Sequence, residues 1–172
     1  MRISRNYKQV GTHIPMLLNV IPKTTGDVCE LGAGFSSTPI LHWLCQGRRL
    51  WTYENDPEWF NFAKKFQTHT HRIRKFDEID YEKHWSVVFV DHSTKVGGFA
   101  PKDFRQRGDD ILKFKNVDIF ILHDTEPGEA EHYHYTAVFP KFKYRLDWTE
   151  TRPHTSAISN KIDVTKWQNF RL

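Results

Sequence analysis

The feature of this sequence that most constrains its fold is an alternation of strand-like runs with helical segments. Seven short runs are rich in the β-branched and aromatic residues that favour strands. They are DVCEL (27–31), RLWTYE (49–54), HRIRKF (71–76), SVVFVD (86–91), VDIFILHD (117–124), KYRLDWTET (143–151) and TSAISNKID (155–163). Helices are predicted at 12–21, 36–47, 56–67 and 101–114, where Ser, Thr, Asp or Pro stands at the start. Strands that alternate with helices pair in parallel, so the sequence predicts an α/β fold.

The last two predicted strands refine this sheet. Only a turn around Arg152 and Pro153 separates them, so we expect them to pair antiparallel at one edge. The runs VVFV and IFIL are apolar without alternation, which is typical of central strands covered by helices on both faces. The prediction is therefore a three-layer fold around a seven-stranded, mostly parallel sheet with an antiparallel edge strand. Ligands of such sheets bind at the carboxyl ends of the strands.

Length and composition limit the remaining choices. The chain has 172 residues, and we expect residues 1–172 to form one domain. No apolar run is long enough to span a membrane, and polar residues follow Met1, so we expect a cytoplasmic protein without a membrane partner. Cys29 and Cys45 are expected to be buried thiols rather than a disulfide. The net charge of +4 permits a nucleic-acid partner without indicating one, and a homo-oligomer is left open.

The stretch CELGAGFSST forms a glycine turn after the first predicted strand. Gly32 and Gly34 permit a tight turn, and Ser36 or Ser37 can cap the helix that follows. A dinucleotide-binding fingerprint would have a third glycine where Ser37 stands. Glu30 at the strand end would repel a pyrophosphate but attract an ammonium group. The turn therefore favours a nucleoside that carries an amino acid.

A second acidic residue follows about 20 residues later, where Glu54 and Asn55 end the second predicted strand. A carboxylate at this place can accept hydrogen bonds from both ribose hydroxyls. Such an acid serves NAD as well as S-adenosylmethionine, so it indicates nucleoside binding without choosing the cofactor.

Together, DVCELGAGFSST and LWTYENDP resemble the class I S-adenosylmethionine-dependent methyltransferases, whose fold is Rossmann-like. The resemblance implies that Glu54 binds the ribose and that Asn55 lies beside the adenine. It also implies that a segment before the first strand folds over the methionine end, where His13 is a candidate, although an ordinary helix start explains His13 as well. The residues implied around the methionine portion are Glu30, Gly32, Ala33, Gly34 and Ser36.

The fourth and fifth predicted strands both end in an acid and a histidine: Asp91 with His92, and His123 with Asp124. Two carboxylates and two imidazoles near one cleft suit proton abstraction or metal binding. We take these four residues as the catalytic candidates, with His92 or His123 as the base. The alternative is that the acids cap turns and the histidines pack at the rim of the sheet.

The acceptor is limited by motifs that are present and absent. FVDHSTK and LHDTE resemble the catechol O-methyltransferase branch, whose magnesium ligands would correspond to Asp91, Asp124 and Thr125. Thr125 replaces an Asn of that branch and is a poorer ligand, so we do not expect Mg²⁺. Methyltransferases that act on base amines resemble one another in an Asp/Asn-Pro-Pro-aromatic motif, which DHST does not match. Hydroxyl, carboxylate and peptide-type acceptors remain open, and of these we predict an oxygen or a carboxylate rather than the amine of a nucleic-acid base.

These observations predict a small S-adenosylmethionine-dependent methyltransferase with an unidentified acceptor, which is either a small molecule or a macromolecule. Two rival hypotheses use the same fold: an NAD(P)-dependent oxidoreductase and a catalytically silent nucleoside-binding module. Arg105 and Arg107, on the predicted helix after strand four, either anchor an anionic substrate or pair with Asp109 and Asp110.

Overall fold

A seven-stranded sheet with the strand order β3-β2-β1-β4-β5-β7-β6 is the centre of the fold. The computed structural model describes residues 11–92 and 107–167. The strands are β1 (Val28–Leu31), β2 (Leu50–Tyr53), β3 (His71–Arg74), β4 (His84–Val90), β5 (Asn116–His123), β6 (Tyr144–Trp148) and β7 (Thr155–Ser159). Strands β1 to β5 pair in parallel. Strand β7 runs antiparallel to both β5 and β6, which confirms the predicted fold class and its antiparallel edge.

Helices join these strands, and several begin at the residues that the sequence indicated. They are α1 (Ile14–Val20), α2 (Ser37–Leu44), α3 (Pro57–Ala63), α4 (Arg107–Ile111), α5 (Pro127–His132) and α6 (Tyr135–Val138). Asp56 caps α3 by accepting from the backbone N–H groups of Glu58 and Trp59, with Pro57 at the first position. Of the helix predicted at 101–114, residues 101–106, which include Arg105, lie outside the described residues. None of the described helices is long and apolar enough to cross a membrane.

Two apolar cores lie on the opposite faces of the sheet. Because side chains alternate along a strand, Val87 and Phe89 of β4 contribute to one core and Val88 and Val90 to the other. The first core includes α1 and α2, and the second includes α4, α5 and α6 around the fully buried Trp85. Helices therefore cover both faces, and ligands have access to the sheet at its edges.

Gly32 fixes how the turn after β1 meets the end of β4. Its φ is +91°, a left-handed conformation that favours glycine. A Cβ atom at this position would lie 2.4 Å from the Cα of His92 and 2.8 Å from the carbonyl carbon of Asp91. The glycine is thus required by a close approach of two backbone segments, in addition to any approach of a ligand.

We expect Gly32→Ala to lower the free energy of unfolding by more than about 2 kcal/mol, because the new Cβ combines a backbone clash with a strained φ. The matched control is Gly128→Ala in α5, where an added Cβ meets no atom within 4 Å among the described residues. The control should leave stability unchanged or raise it slightly. Urea unfolding of both variants measures the difference, and equal stabilities would contradict the packing argument.

Candidate active site at the carboxyl ends of the strands

The sheet register brings four strand ends to one edge. Leu31 at the end of β1 pairs with Tyr53 of β2 and with Val90 of β4. Val90 in turn pairs with Leu122 of β5. The residues that follow these positions, namely Gly32, Glu54, Asp91 and His123, therefore lie along the same edge of the sheet.

Glu54 joins the end of β2 to the glycine turn. Its Oε2 accepts a hydrogen bond from the backbone N–H of Ala33 at 2.9 Å. Its Oε1 accepts from the N–H groups of Asn55 and Asp56 at 2.7 and 2.8 Å. Burial raises the pKa of this carboxyl although the three backbone donors oppose the change. Since each carboxylate oxygen has two lone pairs, Oε2 of Glu54 retains capacity for one further donor.

Asn55 and Ser36, two of the predicted cofactor residues, differ in their local contacts. The side-chain Oδ1 of Asn55 accepts from the backbone N–H of Phe76 at 3.1 Å, so it ties the end of β2 to the segment after β3. Of the two predicted capping residues, Ser36 and Ser37, Ser36 lies at the N-cap position of α2, but its side chain makes no capping hydrogen bond. The hydroxyl of Thr38, four residues after Gly34, accepts a hydrogen bond from the N–H of Gly34 at 3.0 Å.

Glu30 lies beneath the glycine turn and is fully buried. The hydroxyl of Thr52 donates to its Oε2 at 2.6 Å, and the hydroxyl of Thr38 lies 3.1 Å from both carboxylate oxygens. Behind Thr52, the ring of His71 extends the network through a 2.9 Å contact to the same hydroxyl. Burial raises the pKa of Glu30 to about 7 although the hydroxyl hydrogen bonds oppose it. The carboxyl therefore braces the turn from inside the protein.

At the ends of β4 and β5, Asp91 and His123 form a partly buried ion pair. Nδ1 of His123 lies 3.0 Å from Oδ1 of Asp91, and its Nε2 lies 2.8 Å from the hydroxyl of Thr12. Burial acts to raise the pKa of the Asp91 carboxyl, but the charges of His123 and Arg107 outweigh it and hold that pKa well below its usual range. Asp91 is thus ionised at neutral pH.

The guanidinium of Arg107 lies between Asp91 and Asp124. Its Nη2 is 3.2 Å from Asp91 Oδ1, and its Nη1 is 2.9 Å from Asp124 Oδ2. Nε donates to the carbonyl of His92 at 2.8 Å, and the guanidinium lies 4.0 Å from the centre of the Tyr133 ring. Arg107 therefore pairs with the strand ends at Asp91 and Asp124, rather than with Asp109 and Asp110 as one of the two sequence-based alternatives had it.

The contacts of Asp91, Asp124 and Thr125 show whether these residues can form the magnesium site of the catechol O-methyltransferase branch. The cation between the two aspartates is the guanidinium of Arg107. The third implied ligand, Thr125, is buried, and its Oγ1 accepts from the hydroxyl of Ser156 at 2.9 Å. A hard divalent ion needs several free oxygen ligands. The residues do not fit Mg²⁺ at this place.

His92 is directed away from the Asp91–His123 pair. Its Nε2 lies 3.2 Å from Oδ2 of Asp110 on α4, and both side chains are almost completely buried. The ring also packs against Phe76 with the centroids 5.2 Å apart. His92 thus links the end of β4 to α4, and its ring nitrogen is directed at a carboxylate of the protein.

His13 faces the Asp91–His123 pair from the start of α1. Its ring packs edge-on against His123 with the centroids 4.8 Å apart, and its Nδ1 is 3.8 Å from Oδ2 of Asp91. Burial lowers the pKa of His13 to about 4, although Asp91 acts to raise it, so the imidazole is neutral. Neither ring nitrogen has a hydrogen-bond partner within residues 11–92 and 107–167.

Sequence reasoning missed Thr12, Thr38 and Thr52 as members of this site, and it missed the pairing of Arg107 with Asp91 and Asp124. It named Arg107 only as a possible anchor for an anionic substrate or a partner of Asp109 and Asp110, because nothing in its spacing links it to two strand ends. The hydroxyls carried no signal that separates them from other Thr residues. The one available indication was that Glu30, in an apolar strand, needs buried donors.

Comparison with solved structures identifies the fold. The "delta-N METTL16 MTase domain" matches 87% of this chain and 84% of its own length, with a TM-score of 0.57 and 16% sequence identity. This chain has a class I methyltransferase fold. The N-terminal domain of human METTL16 in complex with SAH (S-adenosylhomocysteine) matches with a TM-score of 0.58 at 14% identity, covering 87% of this chain and 69% of that one.

Two further solved structures share the fold. The hMettl16 catalytic domain in complex with MAT2A 3′UTR hairpin 1 has a TM-score of 0.53 at 12% identity, over 88% of this chain and 69% of that chain. A methyltransferase from Pyrococcus furiosus has a TM-score of 0.54 at 12% identity, over 86% and 83% of the two chains. No protein-family model matches the sequence, and no curated protein matches it.

We expect the buried Glu30 to make stability depend on pH. Burial raises its pKa from 4.5 to about 7, so the folded protein keeps a proton that the unfolded chain releases. The contribution of Glu30 to folding stability should therefore fall as the pH rises from about 4.5 to about 7, by about 3 kcal/mol in total, and should be constant above that window. Urea unfolding between pH 4 and pH 8 measures how the free energy of unfolding depends on pH in the wild type and in Glu30→Gln, and the contribution of Glu30 is the difference between the two.

The control for this experiment is the exposed Glu82, because Glu82→Gln should keep the wild-type dependence on pH. The same slope in Glu30→Gln as in the wild type would contradict a raised pKa at Glu30.

Proposed function

We propose that this protein is an S-adenosylmethionine-dependent methyltransferase. The observation that carries the proposal is the contact between Glu54 and the N–H of Ala33, on a class I methyltransferase fold. It places a carboxylate beside a glycine turn at the switch in strand order between β1 and β4, where open α/β sheets bind nucleosides. The METTL16 domain crystallised with SAH supports the same cofactor class.

The proposed cofactor cleft follows the edge from β2 to β1. Glu54 accepts a hydrogen bond from a ribose hydroxyl through the remaining lone pair of Oε2, and Asn55 lies at the adenine end. The turn formed by Gly32, Ala33, Gly34 and Ser36 approaches the methionine portion, and Glu30 supports that turn from below. His13 closes the methionine end from α1. The bound cofactor supplies an electrophilic methyl group, and the protein aligns it with the acceptor.

The acceptor end lies at β4 and β5. Asp91 and His123 are the proposed catalytic residues, since they occupy the strand ends next to the methionine end of the cleft. Asp124 and His92 are positioning residues in this proposal, because Asp124 acts through Arg107 and His92 acts through Asp110. A fixed, buried pair of charges holds an acceptor in line with the methyl group at little cost in reorganisation.

The proposed acceptor atom is an oxygen, either of a hydroxyl or of a carboxylate. DHST after β4 differs from the motif of base-amine methyltransferases. RNA is a second candidate acceptor, because the hMettl16 catalytic domain was crystallised with an RNA hairpin. Methyl-labelled S-adenosylmethionine added to a cell extract separates the two: label released by mild base as volatile methanol indicates a methyl ester, and label released by ribonuclease indicates RNA.

Calorimetry with S-adenosylmethionine and NAD tests the cofactor assignment. We expect binding of S-adenosylmethionine and none of NAD. Glu54→Gln should weaken that binding about ten- to a hundredfold, because hydrogen bonds to a charged group contribute about 1.5–3 kcal/mol. The control is Glu131→Gln on the exposed face of α5, which should bind as the wild type does.

Binding of NAD without S-adenosylmethionine would favour the oxidoreductase and overturn the proposal. Cofactor binding together with no labelled product in any extract would favour the silent nucleoside-binding module. Unchanged affinity in Glu54→Gln would show that the ribose lies elsewhere.

A further inference from the structure

Three potential metal ligands converge next to the acceptor end: His13 from the start of α1, Asp91 from the end of β4 and His123 from the end of β5. One ligand atom from each lies within 4.8 Å of the others. We propose that they form a site for a divalent transition-metal ion such as Zn²⁺. The inference goes beyond the proposed function and does not depend on it.

The two oxygens of Asp91 face different partners. Oδ1 lies 3.0 Å from Nδ1 of His123 and 3.2 Å from Nη2 of Arg107. Oδ2 faces Nδ1 of His13 at 3.8 Å. An ion between the two imidazoles can therefore bind Oδ2 while Arg107 keeps its contact with Oδ1. Protein atoms that ligate a tetrahedral Zn²⁺ at about 2.0–2.2 Å lie a little more than 3 Å apart, so the cluster needs only side-chain adjustment.

His13 is an independent indication of a ligand. It is a buried polar ring, 5% exposed, and neither nitrogen is hydrogen-bonded within the described part of the chain. Buried polar groups without a partner are rare, because each loses its contacts with water and gains none in return. A neutral imidazole with a free lone pair is the form that ligates metals.

Charge and ligand type determine which ion fits. Asp91 and Asp124 carry two negative charges and Arg107 one positive charge, so the cluster has a net charge of −1 once an ion has displaced the proton of His123 to solvent and both imidazoles are neutral. Two nitrogens and one oxygen suit Zn²⁺, Co²⁺ or Fe²⁺ and do not suit Mg²⁺ or Ca²⁺. The hydroxyl of Thr12 contacts Nε2 of His123, and the ring of Phe89 packs against the ring of His13, so both residues support the ligands.

Three protein ligands leave at least one position open on the ion, as in catalytic zinc sites. If the proposed function holds, the open position lies at the acceptor end. An oxygen acceptor bound there would be polarised by the ion and would lose its proton to water more readily.

Titration of the full chain with Co²⁺ and Zn²⁺, without cofactor, tests the site. We expect one equivalent of Co²⁺ to give a visible absorption spectrum and Zn²⁺ to displace it. His13→Ala and Asp91→Asn should each weaken the binding at least tenfold. The matched control is His42→Ala, because His42 and His71 form a second close histidine pair, with their Nδ1 atoms 3.0 Å apart. The control should bind as the wild type does.

Binding that persists in His13→Ala, or that is lost in His42→Ala, would overturn the proposal, and so would no binding at one equivalent. If His13→Ala fails to fold, X-ray absorption of the Zn²⁺ complex of His42→Ala gives the number of imidazole ligands on the ion instead. Two imidazoles and one or more oxygens support the site, and any other number of imidazoles overturns it. Because no cofactor is present, failure here is separate from failure to bind S-adenosylmethionine.

Discussion

The buried guanidinium of Arg107 is the interaction on which the rest of the candidate site depends. Asp91 and Asp124 end neighbouring strands, and two carboxylates removed from water would cost several kcal/mol each without a cation between them. Arg107 supplies that cation. Its orientation is fixed because its Nε and Nη1 donate to the carbonyls of His92 and His123. One side chain thus fixes the ends of β4 and β5 and the position of α4.

A second buried group, Glu30, holds the glycine turn in place, as Arg107 holds the strand ends at the acceptor end. Its carboxyl is held by hydroxyls from α2 and β2, and the turn above it is held by Glu54. The turn therefore has its conformation before any ligand binds. A preformed site loses less entropy when it takes up a ligand, which supports a cofactor cleft at this edge.

Much of the fold was predictable because the strands differ in composition from their surroundings. All seven predicted strands are present, and the glycine turn and Glu54 lie on one edge because parallel strands end together. The sequence could not reveal Arg107 as the partner of Asp91 and Asp124, since that contact joins α4 to two strands. Nor could it reveal that Glu30 is enclosed, because its donors Thr38 and Thr52 belong to different elements.

The most direct test of the central claim is a crystal structure of the protein with S-adenosylhomocysteine. We predict the ribose at Glu54, the amino-acid portion over the turn from Gly32 to Gly34, and the sulfur directed toward Asp91. Electron density for the ligand at another place, or with its ribose away from Glu54, would contradict the proposed cofactor site.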